Sequence, residues 1–235
     1  MRVLVIDTAL GLCTAGVFTV SDGEVTMLGL RSEAMVRGHS ERLAGMARDA
    51  VFESGGGFSA IDRIGVTVGP GSFTGLRVGL AFAQGLGAAL DRPVVGLSSL
   101  DALAASGEGE QAVLALIDAR RGQVYGRVWR DGVASGPAEA WSLDQARKTV
   151  AELDMRPPNG AAKGFVLVGS GAPLLAEGLQ NADVHPLEGP DPEALARLTA
   201  AADPNANPPR PLYLRAPDAT PPTRLPGQAR VPARP

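Results

Sequence analysis

The chain opens with a pattern that it later repeats. VLVIDTALGLCTAGVFTVSDG, from Val3, and VLALIDARRGQVYGRVWRDG, from Val113, follow one plan. Each has an apolar strand ending Ile-Asp, at Asp7 and Asp118. Each has a glycine four residues later, Gly11 and Gly122, then a second strand closed by Asp-Gly. Asp-Gly between apolar runs signals a hairpin, because the tight two-residue turns need positive φ. Two unrelated hairpins would share the Asp-Gly but not the Ile-Asp-x3-Gly offset. The sequence therefore predicts a duplicated β-meander: an α/β chain with lobes at 1–108 and 109–203 and a tail at 204–235. At 235 residues it is long enough for two lobes with a sizeable core.

Within the first half, strands are expected at Val3–Ile6, Leu12–Val20 and Glu24–Leu30. Ser40 is placed as the cap of a helix reaching Glu53, with Leu43, Met46, Ala47, Ala50 and Val51 as its apolar stripe. A strand at Ile64–Val68, a helix to Leu90, a strand at Val94–Leu97 and a helix from Ser99 to Ala105 follow. The second half continues with a strand at Phe165–Gly169 and helices near Ala172–Leu179 and Pro192–Ala202, with His185 in a loop. The tail from Pro204 holds ten of the 19 prolines, which predicts extended or disordered chain.

GPGSFTGLRVG, residues 69–79, sits between a strand and a helix. A Walker A loop would need glycine where Thr74 or Leu76 stands, and a lysine. A nucleophile elbow around Ser72 would need glycines where Pro70 and Thr74 stand. Two readings remain. The free N–H groups of the helix start can hold an anion, or Ser72 or Thr74 simply caps the helix. Along the helix, Gly75, Gly79, Ala83 and Gly87 recur every four residues, so another backbone can approach closely. Each helical glycine costs ~1 kcal/mol against alanine, so the stripe needs a compensating contact. Either the chain's own sheet or a partner helix can supply it.

Little else points to chemistry. Cys13 is the only cysteine, which rules out an internal disulfide and suits a reducing compartment. His39 and His185 are far apart, and no metal-ligand spacing is present. Asp7 and Asp118 end strands, where a carboxylate faces a cleft or closes a turn. No membrane span or signal peptide is expected, and the expected location is cytoplasmic. The formal charge is −3, so no global basic field advertises nucleic acid. The tail, however, carries Arg210, Arg215, Arg224, Arg230 and Arg234 against Asp218; it is +4 and the remainder is −7.

GPGSFTGLRVG, RGHSERL at 37–43, IDARRGQVY at 117–125 and PLYLR at 211–215 together resemble the TsaB (YeaZ) family over residues 1–215. The resemblance implies a two-lobed actin-like fold of the sugar-kinase/Hsp70 ATPase type. It also implies a noncatalytic scaffold in tRNA N6-threonylcarbamoyladenosine biosynthesis. Such a subunit would pair with the transferase TsaD, help recruit the ATPase TsaE and meet tRNA through the complex; a homodimer is left open. TsaD carries a metal-binding His-x3-His where this chain has Ser99 and Leu103, so ATP and metal are expected on the partner subunits and no cofactor here. Ala9 stands where an actin-type phosphate loop has glycine, which leaves Asp7, Thr8, Gly71 and Ser72 as a vestigial nucleotide or anion site. The family pairs through the first lobe's two helices, which puts Leu43, Met46, Ala47, Ala50, Gly75, Gly79 and Ala83 forward as partner-binding residues. The fold also hosts kinases, and relatives were once labelled glycoproteases, so a stand-alone enzyme is the alternative. Direct tRNA binding through the arginine-rich tail is a third reading.

Overall fold

The computed structural model describes residues 1–107, 112–155 and 164–215. Its first sheet contains β1 (Arg2–Asp7), β2 (Leu12–Ser21), β3 (Glu24–Ala34), β4 (Arg63–Gly69) and β5 (Val94–Ser98), in the order β3-β2-β1-β4-β5. Its second contains β6 (Ala112–Asp118), β7 (Gln123–Arg130), β8 (Val133–Ala134), β10 (Phe165–Val168) and β11 (Ala182–His185), ordered β11-β10-β6-β7-β8. The second order is the first read from the other end, strand for strand. β1–β2 and β6–β7 are antiparallel, and β1–β4 and β6–β10 are parallel. The duplication seen in the Ile-Asp-x3-Gly offset therefore extends to the whole sheet. One further strand, β9 (Glu139–Ser142), pairs with β7.

Helices cover both faces of each sheet, which explains why β1 and β6 are continuous apolar runs. On the first sheet, Leu4 and Ile6 pack under α1 (His39–Ser54) and α2 (Phe73–Leu90). The α1 stripe is buried as its spacing predicts. Its start is not: Gly38, with φ 91°, takes the cap position and Ser40 makes no cap bond. On the second sheet, Leu114 and Leu116 pack under α4 (Leu143–Met155), through Ala146, Val150 and Leu153. Neither α4 nor β11 was anticipated. His185 ends β11 rather than lying in a loop, and the helix expected over Ala172–Leu179 is a single 3-10 turn, Ala172–Leu175.

The inner faces exchange helices. α3 (Ser99–Ala105), from the first half, sends Leu100 and Leu103 onto Val113, Ala115 and Val166 of the second sheet. α5 (Pro192–Ala201), from the second half, sends Leu195 and Ala196 onto Val3, Val5 and Phe18 of the first. The side chain of Asp191 caps α5 by accepting from Glu193 and Ala194 N–H. At the other end, Arg63 donates to the carbonyls of Thr199, Ala200 and Ala202. Gly65 admits the Thr199 side chain where a Cβ would overlap it. A boundary near residue 108 thus divides the sheets but not the helices.

The first part of the tail is ordered by contact. Asn207 accepts from Gly96 N–H at 2.9 Å, Pro209 from the Gln84 amide at 2.7 Å, and Leu212 N–H donates to Val68 at 2.7 Å. This strap runs along the edge of β5, past the glycine loop, and reaches the second lobe, where Arg215 meets Gln123. Residues 216–235 of the tail lie outside the described residues. Among the described residues, α2 alone is long and apolar enough to cross a membrane by length and composition, contrary to the expectation that no stretch approaches that. About a third of it is buried within the chain.

Candidate functional site

The glycine loop closes onto its own chain. Ser72 N–H donates to the Ala9 carbonyl at 2.8 Å, and a Cβ on Gly71 would overlap the same oxygen. Thr8 Oγ1 donates to the Gly75 carbonyl at 2.8 Å, and a Cβ on Gly75 would overlap the Thr8 carbonyl oxygen. Ser72 Oγ accepts from Gly75 N–H at 3.3 Å, so it is the helix cap. From the far side, the Glu188 carbonyl accepts from Gly11 N–H at 2.8 Å. The structure brings Asp7, Thr8, Gly71 and Ser72 together, but it fills the space between them with backbone.

Asp7 is fully buried. Its Oδ1 accepts from Thr67 Oγ1 at 2.6 Å and Ala9 N–H at 3.0 Å, and its Oδ2 has no hydrogen-bond partner. Burial pushes the carboxyl above the usual carboxylate range, outweighing the two hydrogen bonds and the nearby His39. The native state therefore holds this proton more tightly than the unfolded chain does. Its contribution to stability is complete below about pH 3.8 and is lost as pH rises through the raised native value. Asp7→Asn should flatten that part of the pH–stability curve in urea titrations and leave stability at pH 7 equal or higher. Asp7→Ala strands a buried hydroxyl and N–H and should cost about 2–3 kcal/mol. An Asn variant with the wild-type pH curve would contradict this. Nearby, Cys13 is buried and its thiol is pushed up to about 11, chiefly by burial, which leaves it unreactive at neutral pH.

The positions that the resemblance sets against the TsaD histidine pair are also sealed. Ser99 and Leu103 are fully buried, Leu103 in the core between the lobes. Among the described residues no group of three or more His, Cys, Asp or Glu side chains is placed to hold a metal ion.

The open feature lies on the outer side of α1 and α2. Of the seven residues put forward as partner-binding, Leu43 lines it and the other six do not. Leu43, Met46, Ala47 and Ala50 are core under the sheet, and Gly75, Gly79 and Ala83 face β1, β4 and the Thr8 turn. The small-residue stripe allows α2 to lie against its own chain. The outward face is a groove of 520 Å³ lined by Ser40, Ala44, Phe73, Arg77, Ala81 and Phe82, among others. Gly45 and Gly85 have open space where a side chain would stand. Phe73 is 52% exposed, with the Arg77 guanidinium 3.9 Å from its ring centre and the Tyr213 ring at 5.5 Å. Phe52, at the far end of α1, is 87% exposed. The spacing signal was available in the sequence: Ala44 and Phe52, and Phe73, Arg77 and Ala81, fall on helical repeats outside the apolar stripes.

A second loop went unnoticed in the sequence. Gly69-Pro70-Gly71 after β4 is matched by Gly169-Ser170-Gly171 after β10, with φ of 112° at Gly69 and 105° at Gly169. Gly171 packs against Leu116 and Ile117 as Gly71 packs against Ala9. Valine-x-valine-Gly-x-Gly in both halves was the signal.

Comparison with known proteins gives the same assignment. The family model for tRNA N6-adenosine threonylcarbamoyltransferase, TsaD, matches residues 26–187. An uncharacterised Mycobacterium tuberculosis protein is 37% identical over 220 residues, covering 93% of this chain and 94% of its own. The Escherichia coli tRNA threonylcarbamoyladenosine biosynthesis protein TsaB is 38% identical over 128 residues, 53% of each chain. The solved structure of YeaZ from Pseudomonas aeruginosa superposes with a TM-score of 0.70 at 27% identity, covering 91% of this chain and 99% of that one. The two-sheet α/β fold, the sequence motifs and these relatives agree, and the chain belongs to the TsaB (YeaZ) family.

Proposed function

We propose that this protein serves tRNA threonylcarbamoyladenosine biosynthesis as a noncatalytic scaffold, pairing through the outer face of α1 and α2 with a TsaD-type transferase. The observation that carries the reading is the contrast between two places in the first lobe. The strand-end turn at Asp7, where the fold's enzymes bind phosphate, is filled by Ala9, Gly71 and Ser72. The α1–α2 groove, by contrast, is apolar, open and flanked by exposed Phe73. An apolar groove with an aromatic anchor and an arginine at its rim has the composition of a protein interface core. ATP and metal are then supplied by the partners, TsaD and TsaE, and tRNA is met in the complex. Without TsaD the same face pairs two copies of this chain.

The name of the Escherichia coli relative supports the pathway. The test is reconstitution with purified TsaD, TsaE, threonylcarbamoyl-AMP, ATP and tRNA, with modified nucleoside read by mass spectrometry. The chain alone should produce none, and omission of the chain should abolish product in the full mixture. Product from the chain alone, or undiminished product without it, would overturn the reading.

A further inference from the structure

Among the described residues, three hairpin turns have consecutive residues in left-handed backbone. Two are Asp-Gly: Asp22 and Gly23 have φ of 51° and 84°, and Asp131 and Gly132 have 49° and 73°. Those are residues that tolerate the conformation. The third is Arg120-Arg121-Gly122, with φ of 60°, 54° and 70°. Long-chain residues are disfavoured there. The backbone geometry alone would select Asn, Asp or Gly, so the arginines are present for their side chains.

Their surroundings say what the side chains meet. This turn is the second-half counterpart of the sealed Asp7 turn, yet it is open: Arg120 is 85% exposed, Arg121 is exposed, and a Cβ on Gly122 would stand in open space. Asp118 braces it, accepting from Arg120 N–H at 2.8 Å and pairing with the Arg120 guanidinium at 3.1 Å. The strap brings in a third arginine. Arg215 meets Gln123 and lies over the Tyr125 ring at 5.9 Å. The 20 residues that follow add Arg224, Arg230 and Arg234 against Asp218 alone. An otherwise acidic chain thus brings three arginines and an aromatic ring to one turn.

We propose that the Arg120–Arg121 turn, with Arg215 and Tyr125, is a contact surface for single-stranded RNA. The arginines would hold backbone phosphates and the arginine-on-tyrosine pair would offer a face for an unstacked base. The proposal rests on the reading that the chain serves an RNA-modifying system, but it does not use the α1–α2 groove.

The test uses the full chain and a fluorescein-labelled, mixed-sequence 12-nucleotide RNA, followed by anisotropy from 50 to 300 mM salt. The double variant Arg120→Asn/Arg121→Gly removes the charges and installs residues that the backbone prefers. It should melt at the same or a higher temperature, bind the RNA at least tenfold more weakly, and show a log–log salt slope smaller by about 1.4, at ~0.7 for each lost phosphate contact. Wild-type affinity and slope in the variant would overturn the proposal. So would unchanged RNA binding with lost TsaD pairing, which would make the turn a protein contact. Ala81→Glu, in the groove, should keep wild-type binding to the RNA, so failure of the scaffold reading would register separately, in gel filtration with TsaD.

Discussion

Gly75→Ala should leave little folded protein at temperatures where the wild type is intact. The new Cβ would meet a backbone carbonyl, that of Thr8, which cannot turn aside as a flexible side chain can. Moving α2 away would also break the Thr8 hydroxyl's bond to the Gly75 carbonyl and disturb the Ser72 cap. Overpacking costs about 1–3 kcal/mol, and more where backbone blocks relaxation. For a chain of this size, 3 kcal/mol corresponds to a fall of about 6–12 °C in melting temperature. Alanine's better helix propensity returns only ~1 kcal/mol. Gly79→Leu should behave alike, because its Cβ would overlap Thr8 Oγ1. Calorimetric unfolding at low protein concentration checks both. A wild-type melting temperature combined with lost TsaD pairing would show that the stripe faces outward after all.

Ala81→Glu should do the reverse. Ala81 lines the open groove, so a carboxylate there is solvated in the free monomer and the fold is untouched. In a complex the same carboxylate would be buried without a partner, at a cost of about 2–5 kcal/mol. Pairing with TsaD should therefore weaken at least about 30-fold. Titration calorimetry on a variant of unchanged melting temperature reads this directly. Undiminished pairing would remove the groove from the interface and, with it, the structural basis of the scaffold proposal.

The two variants mark where sequence reading succeeded and where it stopped. Periodicity located α1 and α2 and named the buried residues of α1, because a one-sided apolar stripe must face the core. The duplication was legible because Asp-Gly turns and strand-end aspartates are local signals. Gly75, Gly79 and Ala83 announced a close approach, but small residues do not say what approaches them. Only the path of the Thr8 turn beneath α2 decides that. Of the residues put forward on these helices, Leu43 lines the groove, and Met46, Ala47, Ala50, Gly75, Gly79 and Ala83 are buried beneath it. α4 was missed because LDQARKTVAELDM is mostly polar, with Ala146, Val150 and Leu153 as a thin stripe. Proline content predicts an extended or disordered tail, and the strap is extended. Its order comes from carbonyls of Asn207 and Pro209 and one N–H at Leu212, which the sequence does not advertise.

The exchange of α3 and α5 between the sheets has a consequence for the order in which the chain can be completed during synthesis. The first sheet is finished on one face once α2 and β5 exist, because α1 and α2 are local to it. Its other face, Val3, Val5 and Phe18, waits for Leu195 and Ala196, nearly 200 residues later. Until the ribosome has delivered α5, that apolar surface is bare, and so is a ready site for wrong association. Arg63 likewise cannot satisfy its three carbonyl acceptors before residue 202 arrives. The duplicated halves are therefore repeats in topology but not independent folding units. Cooperativity runs from the first strand to the last helix, and such long-range closure slows folding.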